Sequence, residues 1–491
     1  MGFKIVVLWT DVALWLLFAA LLGYGLRLWR VPHLRANWRR VLRDPAAMSA
    51  GIVLLAFLAV AALDSLHLRR ALDGGAGQTL FYSTRTESLL DLALARQIGM
   101  RESSYSAPLA YRGFSKEAVS LDDGRIVREH PRLAHGGAHL DGTESQLRQA
   151  WAADLARRAL AGLAGALAGC GLALLLFVAA LAPRPWHAAG WRQAIFQLLG
   201  DHTELPWRAA WLTVCVLLLL AGPVVALMGH YHVFGTDRTG NDVLYQALKS
   251  VRTAFVIGAL STLATLPFAL VLGILAGYFK GWVDELIQYV YTVLSSVPNV
   301  LLIAACVLML QVFLDQHSEL FETSAERADL KIFLLCAILG LTGWAQLCRL
   351  IRAETLKLSE LDFVQAATAF GVSHGRIMLR HIGPNVLHLL LISVVLSFSE
   401  LILYEAVLTY VGVGVDPDMN SFGGMINLAR SEMSREPIVW WSFAAAFGAM
   451  VSLVLAANLF ADGVRDAFDP RSRKLRPRWL AQRRAAEEGT G

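Results

Sequence analysis

One segment, residues 235–244, contains residue types found in phosphate-binding loops. Its glycines, Gly235 and Gly240, stand five residues apart in the order GTDRTGNDVL. A phosphate loop needs a lysine and a serine or threonine after its second glycine, but Asn241 and Asp242 follow here, and carboxylates repel an anion. The segment is therefore predicted to be a turn followed by a short interfacial helix, and a nucleotide site is excluded.

Three histidines, His130, His135 and His139, are of the type that binds transition metals. No carboxylate or thiol near them completes a known metal-ligand spacing, so the preferred interpretation is solvated surface histidines. The five cysteines lie at irregular spacing in apolar runs and give no disulfide framework or zinc pattern. No metal site and no cofactor of the chain's own is predicted.

The composition shows which elements must position these residues. Of 491 residues, 56% are hydrophobic and 17% are charged, whereas soluble domains are about one quarter charged. This excludes a disordered chain and a single soluble domain, and it predicts an all-α, polytopic helical membrane protein. The net charge of +5 comes largely from basic residues beside apolar runs, which indicates membrane topology rather than a nucleic-acid partner.

The hydropathy pattern predicts about nine membrane-spanning helices, each near the 20 or so residues that cross a bilayer. The predicted spans are residues 5–27, 47–66, 159–182, 211–231, 252–279, 286–314, 332–350, 386–411 and 438–461. The first run is long for a signal peptide. Because arginines follow it rather than a small-residue cleavage site, it is interpreted as a retained span.

The distribution of basic residues predicts the orientation of these spans. Residues 27–44 carry six arginines against one aspartate, which places this segment in the cytoplasm and the N-terminus outside. Alternation then places residues 67–158 and the acidic loop 315–331 outside. It places residues 183–210, residues 349–385 and the basic C-terminal tail inside.

These spans divide the chain into five predicted regions. They are two N-terminal helices (1–66), an extracytoplasmic insert domain (67–158), a third helix with an interfacial linker (159–205), a six-helix core (206–473) and a basic cytoplasmic tail (474–491). The insert mixes weak helical stretches with turn signals at 73–75 and 122–124. Trp186, Trp191 and Trp207 mark the segment 183–210 as interfacial.

The inner segment before the eighth span has the pattern of two short helices joined at a glycine. Ser359 and Asp362 are placed to begin the first helix. Gly371 fits its end, where a left-handed conformation is needed. Ser373 is expected to cap the second helix, and Pro384 suits the first turn of the next span.

This inner segment is predicted to dock a cytoplasmic partner. The small residues Ala366 and Ala367 let another protein approach closely, and Arg376 and Arg380 add a cationic rim. The alternative is a folded loop that merely links two spans.

Two carboxylates, Glu400 and Glu405, fall within the eighth predicted span. Charges at membrane depth are costly and usually face a cavity or a partner, although a structural hydrogen bond is an equal alternative here. Gly412 and Gly414 follow in a loop that also contains Pro417, which indicates a re-entrant or tightly turned segment.

Taken together, these stretches resemble the membrane subunits of ABC importers for di- and oligopeptides, in particular the second permease of the pair. The resemblance covers about residues 206–473. The matching pieces, in family order, are 235–244 with Arg252 after it, the turn 277–284 with Pro298 after it, Trp344 with Arg349 and Arg352, the loop called "EAA", the run 405–415 and the signature 458–471.

The "EAA" loop of such permeases couples them to ATPases, so the resemblance implies that role here. The residues implied are Gln365, Ala366, Ala367, Gly371, Arg376, His381, Pro384 and Asn385. Gln365 replaces the acidic residue that names the loop. Tyr289 and Thr292 stand where the family usually has an arginine and an aspartate. Both charges are absent together, as expected when uncharged residues replace a buried ion pair.

The resemblance further implies a type I permease core of six helices with no catalytic residues. Glu405, Gly412 and Gly414 would belong to the translocation path or its outer gate. The outer interfacial motif would comprise Gly235, Thr236, Asp237, Gly240 and Asp242.

The implied function is the translocation subunit of an ATP-driven peptide importer in a bacterial inner membrane, with its N-terminus periplasmic and its C-terminus cytoplasmic. The chain has no Walker motif or ABC ATPase signature, so it is not itself an enzyme, and ATP and Mg²⁺ are expected on partner subunits. The implied partners are a second permease, two ATPases, a periplasmic solute-binding protein, the lipid bilayer and a peptide. Nickel or another small solute stays open as cargo. A secondary transporter would need internal repeats, and the many spans disfavour a receptor.

Overall fold

The computed structural model describes residues 3–72, 81–83, 86–120, 126–181, 188–200, 203–317, 319, 321, 323–417 and 419–468. The predicted tail 474–491, Trp186 and the two turn signals of the insert therefore lie outside the described residues. The chain forms two compact units. The first unit comprises Met1–Leu26, Ser65–Glu87 and Val251–Asn427, and the second comprises Arg27–Asp64, Ser88–Ser250 and Leu428–Gly491.

Helices dominate the described chain. In order they are α1 (Trp9–Arg30), α2 (Pro32–Arg43), α3 (Pro45–Asp64), α4 (Leu89–Ala93), α5 (Ala95–Gly99), α6 (Glu144–Leu181), α7 (Ala188–Leu199), α8 (Trp207–Leu227), α9 (Val243–Phe279), α10 (Gly281–Ser296), α11 (Asn299–Gln316), α12 (Ser324–Ser359), α13 (Asp362–Ala369), α14 (His374–Ile377), α15 (Gly383–Tyr410), α16 (Phe422–Glu432) and α17 (Trp441–Phe468). Among the described residues, nine helices are long and apolar enough to span a membrane: α1, α3, α6, α8, α9, α11, α12, α15 and α17. The predicted all-α, multi-pass membrane fold is confirmed.

Short strands complete the fold. They are β1 (Phe3–Val6), β2 (His67–Leu72), β3 (Phe81–Tyr82), β4 (Glu87–Ser88), β5 (Glu117–Ser120) and β6 (Ile126–Glu129). In the first unit β1 pairs antiparallel with β2, so that Val6 lies opposite His67. In the second unit β5 and β6 form an antiparallel hairpin.

Two predicted elements differ from the structure. The predicted span 286–314 is two helices, α10 and α11, because Pro298 disfavours helical dihedrals at the preceding residue, and Val297 is extended with φ −88° and ψ 133°. The short interfacial helix predicted after Gly240 is instead the first turns of the 37-residue helix α9. The apolar stripe that begins at Val243 continues to Val251 with no glycine or proline to end the helix.

The first unit has a buried core that includes the N-terminal helix. Leu14 of α1 packs with Ile257 of α9, Ile303 of α11 and Ile332 of α12. Each of these four side chains is almost fully buried. The part of α1 up to Leu26 therefore contributes to the core of this unit.

In the second unit, α6 and α8 touch through small residues. A Cβ at Gly162 would lie 2.5 Å from the backbone oxygen of Gly222, and a Cβ at Gly222 would lie 2.6 Å from that of Gly162. Small residues of this kind allow the backbones of membrane helices to approach closely. Also in this unit, Trp38 of α2 lies against Phe460 and Phe468 of α17.

Candidate functional site

The predicted coupling segment comprises residues 362–382, which are α13, α14, the turn between them and the short stretch that leads into α15, all in the first unit. The N–H of Gly371 donates to the oxygen of Thr368 at 3.0 Å, and the N–H of Val372 donates to that of Ala367 at 3.1 Å. This paired arrangement is a Schellman motif, which requires a left-handed residue after the helix. Gly371 supplies it with φ +74°, as the sequence predicts.

The beginnings of the two short helices differ from the prediction. Ser359 is the last residue of α12 rather than a cap, and its hydroxyl donates to the oxygen of Leu356 at 2.7 Å. Leu361 occupies the N-cap position of α13. Ser373 occupies the N-cap position of α14, but its side chain makes no capping hydrogen bond there. Pro384 lies in the first turn of α15, as expected.

The inward face of the coupling segment is anchored in a buried apolar cluster. Val364 of α13, Ile377 of α14 and Ile382 pack there with Trp344 and Ile351 of α12. All five side chains are at most 5% exposed. The segment is therefore a fixed part of the unit and not a loose connection.

The outward face of the same segment presents large apolar side chains. Phe370 is 86% exposed and Leu379 is 82% exposed, while Phe363 is about half exposed. Arg376 and Arg380 are exposed beside them. Exposed aromatic side chains and arginines are among the residue types that are enriched at protein–protein interfaces.

The remaining coupling residues surround this surface. The amide of Gln365 donates to the backbone oxygen of Glu360 at 3.1 Å, so this replacement for an acidic residue makes a local hydrogen bond. Asn385 donates to the oxygen of His381 at 2.6 Å. Ala366 is exposed and Ala367 is half-buried.

Sequence reasoning missed a π-helical segment, Met378–Ile382, between α14 and α15. It contains Arg380 and His381, and it places the wide turns of a π-helix at the junction between the coupling segment and a membrane helix. Single π-helical turns occur frequently at functional sites. No residue pattern in the sequence signals it.

Two residues that match the family motifs form an ion pair next to this region. Arg352 of α12 donates to both oxygens of Asp284 of α10, at 2.5 and 2.6 Å. These hydrogen bonds hold the pKa of Asp284 below its ordinary value, against the opposing effect of burial. The pair fixes α10 to α12 in the geometry that makes arginine–carboxylate contacts strong.

Glu405 is enclosed within the first unit. It is 2% exposed, and it accepts a hydrogen bond from the hydroxyl of Thr409 at 2.8 Å. It also accepts hydrogen bonds from the hydroxyl of Ser421 and the N–H of Gly423. The carboxylate therefore caps the first turn of α16, where the free N–H groups and the helix dipole favour a negative charge.

Gly412 and Gly414 shape the end of α15. Gly412 has φ +91°, and the N–H of Val413 donates to the oxygen of Leu408 at 2.9 Å, which gives a second Schellman ending. A Cβ at Gly414 would overlap the side chain of Thr409. The two glycines thus end the helix and let the chain fold back closely over it.

The outer interfacial motif lies in the second unit, packed against the inserted segment. The N–H of Thr236 donates to the oxygen of Ser106 at 3.1 Å, and the N–H of Ser106 donates to the hydroxyl of Thr236 at 2.6 Å. The indole of Trp441 donates to the oxygen of Thr236 at 2.9 Å. At Gly235, with φ +73°, a Cβ would lie 2.5 Å from the oxygen of Ser106.

The second half of the motif is held by a buried charge cluster. Asp242 accepts a hydrogen bond from Nδ1 of His232 at 2.9 Å, and Nε2 of His232 lies 3.5 Å from Glu102. Glu102 also accepts hydrogen bonds from the backbone N–H groups of Ala134, His135 and Gly136, each at 2.9 Å. A Cβ at Gly240 would overlap the backbone of Glu102.

In this cluster, hydrogen bonding changes the pKa values of Glu102 and His232 more than burial does. Burial alone would raise the pKa of Glu102, but the hydrogen bonds from His232 and the backbone N–H groups lower it to about 2. Burial alone would lower the pKa of His232, but hydrogen bonds to Asp242 and Glu102 raise it to about 9. Glu102 is therefore ionised and His232 protonated near neutral pH, and the two side chains lie next to each other.

Asp237 and the remaining histidines make local contacts. Asp237 accepts hydrogen bonds from the N–H groups of Thr239 and Asn241 at 2.8 and 2.9 Å, which closes the turn. His139 lies 2.8 Å from Asp154, and Nδ1 of His130 lies 3.0 Å from the oxygen of Gly113. Among the described residues, no group of three or more potential ligands is arranged to hold a metal ion.

The amino-acid sequence is similar to those of known transport proteins. A family profile described as "Binding-protein-dependent transport system inner membrane component" matches residues 269–474. The oligopeptide transport system permease protein OppC of Mycobacterium tuberculosis is 32% identical over 248 residues, which cover 50% of this chain and 79% of the relative. The protein of the same name from Haemophilus influenzae is 31% identical over 246 residues, 50% of this chain and 72% of the relative.

The chain belongs to the OppC type of ABC peptide permeases. The part that matches this permease family contains the coupling segment, Glu405 and the two glycines after it. The N-terminal helix and the inserted segment precede the profile match. In the second unit the inserted segment packs directly on the outer motif that contains Gly235 and Gly240.

Proposed function

We propose that this permease is the membrane-spanning translocation subunit of an ATP-driven importer for peptides. We further propose that a cytoplasmic ATPase binds Phe370 and Leu379. The observation that carries the proposal is the two-sided coupling segment. Its inner face is buried with α12, while Phe370 and Leu379 are more than four-fifths exposed on its outer face.

This arrangement supports mechanical coupling. A partner that holds Phe370 acts on α13, and α13 is packed through Val364 against the cluster around Trp344. A displacement at the surface therefore reaches the membrane helix α12 through close-packed side chains, which transmit strain. In the proposed cycle, ATP binding draws two ATPases together and favours one of two alternative packings of the spans.

The proposed assembly contains a second permease, two ATPases that hold ATP and Mg²⁺, and an external solute-binding protein. The permease lies in a bacterial inner membrane with its N-terminus periplasmic and its C-terminus and coupling segment cytoplasmic. The charge distribution supports this orientation, because the arginine-rich segment 27–44 belongs on the cytoplasmic side.

The coupling role is tested by Phe370→Asp, which places a charge at the centre of the proposed interface. Loss of a buried aromatic anchor commonly costs about 2 kcal/mol or more, so co-purification of ATPase subunits should fall at least about tenfold. Ile438→Asp is the matched control, because Ile438 is 55% exposed in a loop of the second unit. Undiminished ATPase recovery with Phe370→Asp would contradict the proposal.

The cargo is tested separately. Reconstituted complex should import labelled di- or oligopeptides in an ATP-dependent manner, and excess unlabelled peptide should compete. Uptake of nickel with no peptide competition would instead support the alternative cargo within the same transporter class.

A further inference from the structure

Helix α2 has one protein-covered face and one basic face. Val41 is fully buried, and Trp38 packs 6.4 Å from Phe460 and 6.0 Å from Phe468 between ring centroids. The opposite side of the 12-residue helix carries Arg35, Arg39 and Arg40, and all three are exposed. The helix is thus fixed by its apolar side while its basic side stays accessible.

The position of α2 in the chain places this basic face at a membrane surface. It lies between α1 and α3, which are both long and apolar enough to span a membrane. Extended backbone at Val31 and Asp44 ends the helix on both sides, and the carboxylate of Asp44 accepts from the N–H of Ala47 at the start of α3. A short helix between two consecutive spans lies where those spans leave the bilayer.

Two further observations point to the headgroup layer as the environment of this face. Trp29, at the end of α1, is 86% exposed, and an exposed tryptophan at the end of a span is typical of the membrane interface. Residues 12–43 contain six arginines and no acidic residue. Their positive charge is complementary to the phosphate groups of anionic lipids.

We propose that α2 is a lipid-binding helix, and that its exposed arginines bind the phosphates of anionic phospholipids. Arg43, the last residue of α2, has a different role, because it forms an ion pair with Glu204. Arg39 also lies close enough to Glu204 to contribute to the lowered pKa of that carboxyl, after the hydrogen bond from Arg43. Arg35 and Arg40 are therefore the residues to change, since their removal leaves this ion pair intact.

The test measures lipid binding by the purified full-length chain in a non-ionic detergent. Native mass spectrometry would compare the adducts formed with phosphatidylglycerol and with phosphatidylcholine of the same acyl chains. The wild-type chain should prefer phosphatidylglycerol. Arg35→Gln/Arg40→Gln should weaken phosphatidylglycerol binding by roughly tenfold or more, since each basic residue near an anionic surface contributes about a few-fold in affinity.

The matched control is Arg128→Gln/Arg148→Gln, which removes the same charge from two other exposed positions and should keep the preference. Arg35→Lys/Arg40→Lys retains the charge and should also keep it, which guards against a folding defect in the glutamine variant. Inorganic phosphate should not displace the lipid.

Three results would overturn the proposal. The first is an unchanged lipid preference in the glutamine variant. The second is an equal loss in the control. The third is displacement of the bound lipid by inorganic phosphate, which would assign the basic face to a free anion instead of a lipid.

Discussion

The guanidinium of Arg252, near the start of α9, lies 2.6 Å from the carboxylate of Asp11 in α1. Both side chains are at most 4% exposed. The other oxygen of Asp11 lies 2.7 Å from Nδ1 of His67, and Asp329 accepts from the N–H of Thr10 at 3.1 Å. The carboxylate closest to Arg252 therefore lies on α1, and both residues precede the segment 269–474 that matches the family profile.

Asp11→Ala is expected to destabilise the first unit by about 3 kcal/mol or more, because it leaves a buried arginine without its nearest counter-charge. The measurement is thermal unfolding in detergent. The double variant Asp11→Ala/Arg252→Leu should lose less stability than the two single changes added together. Additive losses would show that the two residues do not interact.

The cluster of His232 and Glu102 predicts a pH dependence of stability. The pKa of His232 is raised from 6.5 to about 9, so its stabilisation is complete below pH 6.5 and is lost as the pH rises through 9. The pKa of Glu102 is lowered from 4.5 to about 2, so its stabilisation is present above pH 4.5 and is lost as the pH falls towards 2. The alkaline loss should be on the order of 3 kcal/mol.

Thermal unfolding between pH 6.5 and 9.5 would measure this alkaline loss. His232→Gln should flatten the profile, because glutamine does not titrate. His130→Gln, at an exposed position, should leave the profile unchanged. A wild-type chain equally stable at both pH values would contradict the assignment.

Gly371→Val should uncouple transport while leaving membrane insertion intact. A β-branched residue resists the positive φ that ends α13, at a cost of about 1–2 kcal/mol or more, although a Cβ there would meet no described atom within 4 Å. The measurement is ATP-driven uptake by reconstituted complex. Gly371→Asn should be milder, because asparagine tolerates the left-handed region, and Gly375→Ala should be neutral. Full uptake with Gly371→Val would refute the role of this turn.

Glu405→Ala is expected to lower stability by about 2 kcal/mol, because it removes the acceptor for buried donors on Thr409, Ser421 and Gly423. Glu405→Gln should cost less than half of this, since an amide oxygen still accepts. Both thermal unfolding and peptide uptake should be measured. Unchanged stability with lost uptake would instead place Glu405 on the translocation path and not at the helix cap.

The sequence predicts the fold class and the two short helices joined at Gly371 well, because their signals are local. Apolar runs of membrane length indicate spans, and the small residues before Gly371 indicate a helix end that needs a left-handed residue. Pro298 indicates the break in the helix at Val297. A hydropathy profile misses this break, because it averages over residues on both sides of it. The false helix start at Ser359 arose because serine commonly caps the beginning of a helix, whereas here α12 continues up to this residue and ends there.

The outer cluster could not be predicted, because its residues are distant in sequence. Glu102 and His232 are joined by packing of the inserted segment, and neither residue is part of a local motif. The same holds for Asp11 and Arg252. A buried ion pair between residues on separate helices produces no periodic pattern in the sequence. Such a pair can be identified from the tertiary structure.

The close contact between α6 and α8 means that neither helix could be used in another protein without a partner that fits it. Because backbone meets backbone at Gly162 and Gly222, the groove on α8 accepts neither an acyl chain nor a bulky side chain while α6 occupies it. In a protein with an equivalent of α8 but without α6, the helix surface at Gly222 would be exposed to lipid. Another helix would then have to pack against it.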